Sequence, residues 1–174
     1  MKRNGIAKAF AKMQKQADAI VERELKAQLP TFIHLALEHA KIHHVTGNTI
    51  NSYAVALFHN GSFKGFYSSF QALNKAPMRV TLMKGERYDL PFYWSGEPAK
   101  GYTAPTGTRS YWSQEEAQDF IGTTFPRKGG WAYIVVAAVD YARYLETKGT
   151  ADVLTGFQQE LAGMGADVSG VMPG

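Results

Sequence analysis

The stretch Trp131 to Phe157 reads WAYIVVAAVDYARYLETKGTADVLTGF. Its first part, Tyr133 to Val139, is a run of apolar and β-branched residues and predicts a buried strand. The chain then turns at Asp140 into Tyr-Ala-Arg-Tyr-Leu-Glu, and Lys148, Gly149 and Thr150 lead into a helical pattern. Over 151–161, Val153, Leu154, Phe157 and Leu161 fall on one side of that helix. The stretch carries no catalytic signature. What it offers is a strand that delivers an aromatic, charged corner to the surface, and the rest of the chain reads as its support.

Upstream, residues 4 to 29 read as a helix. Ile6, Phe10, Met13, Ala17, Ile20, Val21, Leu25 and Leu29 recur in steps of mainly three and four residues, an apolar stripe. Lys8, Lys12 and Lys15 follow the same period on roughly the opposite face, and no acid precedes Asp18. Such a face suits DNA, an anionic membrane surface or an acidic partner, although a solvated face is the plainer reading. Pro30 is expected to kink the helix or to start a second one that runs from Thr31 to His43.

His34, His39, His43 and His44 lie on that second segment. His39 and His43 are one turn apart and could both reach one ion, but no third ligand accompanies them and no HExxH occurs. No native metal site is therefore expected, and His39 and His43 stand as the weak candidates for one. No cofactor is implied either. GxGxxG, GxSxG, GxxxxGK[ST] and the kinase motifs are all missing.

Between the helices and the late strand the pattern changes period. Val45 to Asn51 is a loop in which Gly47 is expected to end the helix. Ser52 to Phe58 alternates, with Tyr53, Val55 and Leu57 on one face and Ala54, Ala56 and Phe58 on the other. Asn60-Gly61 is a hairpin signal, so Phe63 to Phe70 is the returning strand, with Gly65 as a bulge. After a connection over Gln71 to Pro77, Met78 to Met83 reads as a third strand. Pro91, Pro98 and Pro105 then punctuate a segment rich in aromatic residues. Phe92, Tyr93, Trp94, Tyr102, Tyr111 and Trp112 could form a ligand platform, but pinning a long loop to the body is the more usual role of such rings. Ser113 and Glu116 resemble a capping box for a short helix that ends near Gly122.

Composition bounds these readings. The chain has 174 residues, 45% apolar and 20% charged, with a net charge of +4 and no cysteine. A single globular domain follows, without a disulfide scaffold or thiolate chemistry. The longest apolar run, near Tyr133, is far short of the roughly 20 residues of a membrane span. Lys2 and Arg3 are not followed by the apolar core of a secretory signal. The expected fold is α+β over 1–174: a small, mostly antiparallel twisted sheet with a long N-terminal helix packed across it, helices on one face, and a short C-terminal helix. Its parts are a helical region over 4–44, a hairpin and third strand over 52–83, a long insertion over 88–125, the late strand and C-terminal helix over 131–162, and a flexible tail over 163–174.

Two segments, Val45 to Tyr53 after the long helix and Val139 to Thr150 after the late strand, resemble segments of the neck and tail-completion proteins of tailed bacteriophages, the head–tail joining family. Thr46, Gly47, Asn48 and Ser52 match that family's TG-N-L-x-x-S segment after a long helix. Tyr141, Ala142, Tyr144, Leu145, Glu146, Gly149 and Thr150 match its Y-A-x-Y-[LV]-E-x-G-T segment after a late strand. The chain departs from the pattern at His44 and Val45, where proline and aspartate are usual, at an additional Lys148, and in the 88–125 insertion.

The resemblance implies a non-enzymatic virion structural protein, made in the host cytoplasm. It implies a six- or twelve-fold homo-oligomeric ring at the head–tail junction that joins portal to tail and continues the genome channel. The implied partners are further copies of the chain, the portal or other neck and tail proteins, and transiently the genomic DNA, with no membrane. A closed ring needs two unlike faces on each subunit. Candidates for them are Thr46, Gly47, Ser52, Tyr141, Arg143, Tyr144, Glu146, Gly149 and Thr150, with Lys8, Lys12 and Lys15 facing DNA or a partner. Two alternatives are a basic nucleic-acid-binding module of phage origin and, less favoured, a metal-dependent enzyme built on His39 and His43.

Overall fold

A computed structural model describes residues 3–40, 46–78, 80–88, 92–98, 102–103, 108–109, 113–124, 129–138 and 154–163. The alternating segment after the first turn forms β1, Tyr53–His59, and it is the middle strand of a three-stranded antiparallel sheet. Its neighbours are β2, Ser62–Ser68, and a late strand, Trp131–Ala137. The organising strand is thus β1 rather than the late one. β1 is buried from Tyr53 to Phe58, whereas only Ile134 and Val136 of the late strand are buried.

Asn60 and Gly61 close the β1–β2 hairpin with φ of 50° and 79°. A two-residue turn with both φ positive twists in the same sense as the strands it joins. Leu57 pairs with Gly65 while Phe58 pairs with Phe63, so Lys64 is the extra residue of a bulge beside Gly65. Gly65 also admits the first helix. A Cβ there would stand 3.2 Å from Leu29 Cδ1.

That helix, α1, runs without interruption from Arg3 to His39, through Pro30. Of the two outcomes expected at Pro30, the start of a second helix does not occur. Leu29 and Ile33, on either side of the proline, are both buried against β1. Such packing outweighs the roughly 3 kcal/mol that an internal proline costs. Only the C-terminal half of α1 lies on the body, where Leu29, Ile33, Ala36 and Ala40 meet Tyr53, Val55 and Leu57.

The other face of β1 is also covered, against the expectation of helices on one face. A helix within the supposed insertion, Ser113–Thr124, brings Ala117 and Ile121 onto Ala54, Ala56 and Phe58. Two alanines on this face of the strand leave room for the helix backbone. The order across the molecule is helix, sheet, helix. This helix starts at Ser113 itself and runs two residues past Gly122, to Thr124.

β2 ends at Ser68, short of the expected Phe70, and the connection expected over Gln71 to Pro77 begins within a short helix, α2, Ser69–Leu73. Ser68 caps it: its hydroxyl accepts from the Gln71 amide, and Gln71 reaches back to the Ser68 amide. The expected third strand at Met78–Met83 shrinks to β3, Thr81–Leu82, which does not join the main sheet. It pairs with β6, Thr108–Arg109, while β4, Arg87–Tyr88, pairs with β5, Tyr102–Thr103, as two antiparallel two-stranded ladders. The pairs Thr81–Arg109, Leu82–Thr108, Arg87–Thr103, Tyr88–Tyr102 and Phe92–Pro98 all share one centre, Ser95. The described pairs of this segment thus follow a single register, that of a ribbon of two short ladders and one bridge. The 113–124 helix is α3 and the late strand β7. Among the described residues the last helix, α4, spans Leu154–Gly163 and so runs past the expected end at Leu161, while 151–153 lie outside the described residues. The tail expected beyond it lies outside the described residues.

Candidate assembly surfaces

The turn that carries the first family-like segment is built inward. Thr46, Asn48, Asn51 and Ser52 are all buried. The Asn51 side-chain amide donates to the Gly47 carbonyl at 2.8 Å, and the Ser52 hydroxyl donates to the Thr49 carbonyl at 2.6 Å. The Thr46 carbonyl accepts from the Met78 amide at 2.7 Å. Gly47 has φ of 76° and lies beneath the indole of Trp94, so that a Cβ would fall 2.5 Å from Trp94 Cγ. It belongs to this turn and does not end α1. Thr46, Gly47 and Ser52, read as contact residues, are engaged within the chain and hold the entry to β1.

Trp94 comes from the tip of the ribbon. Its indole N–H donates to the Ala76 carbonyl at 2.7 Å, and the Lys75 ammonium sits 4.2 Å from the ring centroid. Lys75 also donates to the Trp94 carbonyl. The ribbon thus returns to the body near its own base, and Trp94 pins it. Phe92, two residues away, remains exposed.

Of the histidine pair, only His39 lies among the described residues. His39 Nε2 lies 3.1 Å from a Glu160 carboxylate oxygen, which ties the end of α1 to α4. Among the described residues no group of three His, Asp or Glu side chains could hold a metal ion. His43 lies outside the described residues, as do Tyr141, Arg143, Tyr144, Glu146, Gly149 and Thr150, together with Tyr111 and Trp112 of the aromatic set.

Residues 5–21 of α1 are exposed on every side, and Lys8, Lys12 and Lys15 lie there. So do Ile6, Phe10, Met13, Ile20 and Val21, with 61%, 66%, 63%, 55% and 41% of their surface open. The expectation that the whole stripe packs across the sheet holds only from Leu25 onward. The signal for this was the spacing. Ile6, Phe10, Met13, Ala17 and Ile20 alternate steps of four and three, whereas Val21, Leu25, Leu29 and Ile33 advance by four. The two sets drift apart around the helix, so one sheet cannot cover both.

Where the free half meets the body, Glu22 bonds to Lys26 at 2.6 Å and faces Lys64 at 3.8 Å. The hydrogen bond from Lys26 holds the Glu22 carboxyl below its ordinary range. At the hairpin end, the His59 and Trp131 rings stack at 4.0 Å, and Asn60 bonds through backbone and side chain to Gly130. Of these contacts, the Glu22–Lys64 pair ties α1 to β2, and those at the hairpin end join the hairpin turn to the start of β7. Among the described residues no helix is long and apolar enough to cross a membrane. Comparison of the chain with protein-family models, with characterised proteins and with solved structures finds no match.

Proposed function

We propose that this chain is a virion structural protein that assembles into a homo-oligomeric ring at the head–tail junction of a tailed bacteriophage. The observation that carries the reading is the free half of α1. A helix with five large apolar side chains open to water calls for a further surface, because a patch of this kind marks an interaction site. The two family-like segments at Thr46–Ser52 and Tyr141–Thr150 support the ring, the portal and the tail proteins as the context. Work in this role is done by assembly, not by catalysis. Lys8, Lys12 and Lys15 would face an acidic neighbouring ring or the DNA in the channel.

Light scattering on the purified chain, with electron microscopy of the same sample, tests the proposal. The expected result is a closed multiple of the 19.2 kDa subunit seen as rings. A monomer at every concentration would overturn it. A nucleic-acid-binding module is the second reading, favoured by three exposed lysines with no acid before Asp18. It predicts monomers whose affinity for DNA falls steeply as salt rises.

A further inference from the structure

We infer that the free half of α1 packs against the same helix of a second copy of this chain, side by side and parallel, along the seam Ile6, Phe10, Met13, Ala17 and Ile20. The inference rests on the ring reading, whose copies are related by rotation, and it assigns a contact to them.

Three observations select this occupant. The first is periodicity. Alternating steps of four and three place Ile6, Met13 and Ile20 at one core position of a heptad, with Phe10 and Ala17 at the other. That repeat is what a helix needs when its partner is another helix wound around it. A sheet would instead take the four-residue steps that the second half of α1 already uses.

The second is charge. Ala7, Ala9, Gln14 and Gln16 flank the seam, so identical stripes meet without like charges opposed. Lys8 and Lys15 fall on the far side of the heptad, and Lys12 beside them. An acidic partner would be drawn to those lysines and away from the stripe.

The third is area. Four large exposed side chains of about 100 Å² each, with the smaller Ala17, give roughly 450 Å² per copy, hence about 900 Å² across two copies, close to the size at which specific interfaces begin. The free half, about 20 residues, projects some 30 Å, room for nearly three heptads.

The chain has no cysteine, so a single one reports cleanly. The full-length variants Met13→Cys and Lys15→Cys are oxidised under mild conditions at equal concentration and read on a denaturing gel. Met13→Cys is expected to cross-link copies at least tenfold faster than Lys15→Cys. In parallel, Phe10→Ser/Met13→Ser is expected to lower the mass by light scattering while the far-ultraviolet signal of the folded body persists. Equal cross-linking of the two cysteines, or an unchanged mass in the double variant, overturns the seam. If the wild-type chain still forms a ring in that case, the seam fails and the ring reading stands. A monomeric wild type overturns both.

Discussion

The Tyr133 hydroxyl donates a hydrogen bond to the Leu25 backbone carbonyl, 2.8 Å away. The bond joins an edge strand to the turn of α1 just ahead of Pro30. Proline has no N–H, so the Lys26 carbonyl lacks its usual intrahelical donor, and the ring crowds that turn. A phenol donating beside it, with Phe32 edge-on to the Tyr133 ring at 4.5 Å, fastens the helix where its own ladder is weakest. Replacing Tyr133 with Phe keeps the ring contact and removes the donor. Urea denaturation should show a loss of about 1 kcal/mol.

The same phenol makes stability sensitive to alkali. Burial pushes the Tyr133 hydroxyl above its ordinary value of 10.0. Below that value the group is protonated in both folded and unfolded chains, and its contribution is complete. As pH rises above it, the unfolded chain gives up the proton first, and stability falls until the folded phenol also ionises. Denaturation midpoints measured from pH 8 to 11 should therefore drop less in Tyr133→Phe than in the wild type. Parallel curves would count against this origin of the alkaline loss.

Gly47 lies beneath Trp94 with a left-handed backbone, so Gly47→Ala carries both a steric and a conformational penalty. The expected cost is about 2–4 kcal/mol. In a Trp94→Ala background the clash is gone, and the same substitution should cost only about 1–2 kcal/mol for the backbone. A double-mutant cycle by chemical denaturation measures the difference.

The two faces of β1 respond to opposite changes. Leu57→Ala opens a cavity under α1 and should cost about 2–5 kcal/mol. Ala56→Leu crowds the α3 side and should cost about 1–3 kcal/mol. If Ala56→Leu were neutral in thermal melts, the close approach of α3 to the sheet would be wrong.

His39 and Glu160 hold α4 against the end of α1, with Gly156 beside the imidazole. Both side chains are partly solvated, so His39→Ala should lower global stability by less than about 1 kcal/mol. Its effect should be local, as faster amide hydrogen exchange over 154–163 with little change in β1.

How far sequence alone reaches differs from element to element. The hairpin was readable because Asn60-Gly61 is one of few dipeptides that accept two positive φ values. The faces of β1 were readable because Tyr53, Val55 and Leu57 alternate with Ala54, Ala56 and Phe58. That one helix continues past Pro30 was not readable, because local propensity carries no information about Leu29 and Ile33 being packed from outside. The ribbon centred on Ser95 escaped because two-residue ladders leave no period to detect. Of the candidate surfaces, the lysine face was visible in the spacing. Thr46, Gly47 and Ser52 were not distinguishable as inward-facing, since Trp94, which covers Gly47, arrives from far along the chain.

The pairing order of the main sheet sets an order of folding. β1 meets β2 across a two-residue turn, while its other partner, β7, starts about 70 residues later, and closing so long a loop carries a larger entropic cost. A chain emerging from the ribosome can therefore fold its hairpin onto α1 before β7 exists. During that interval the β7-facing edge of β1 is open, along with the free apolar half of α1. Nascent chains on one polysome would present complementary, unfinished surfaces to one another, and the lysines near the N-terminus would be the charges keeping them apart.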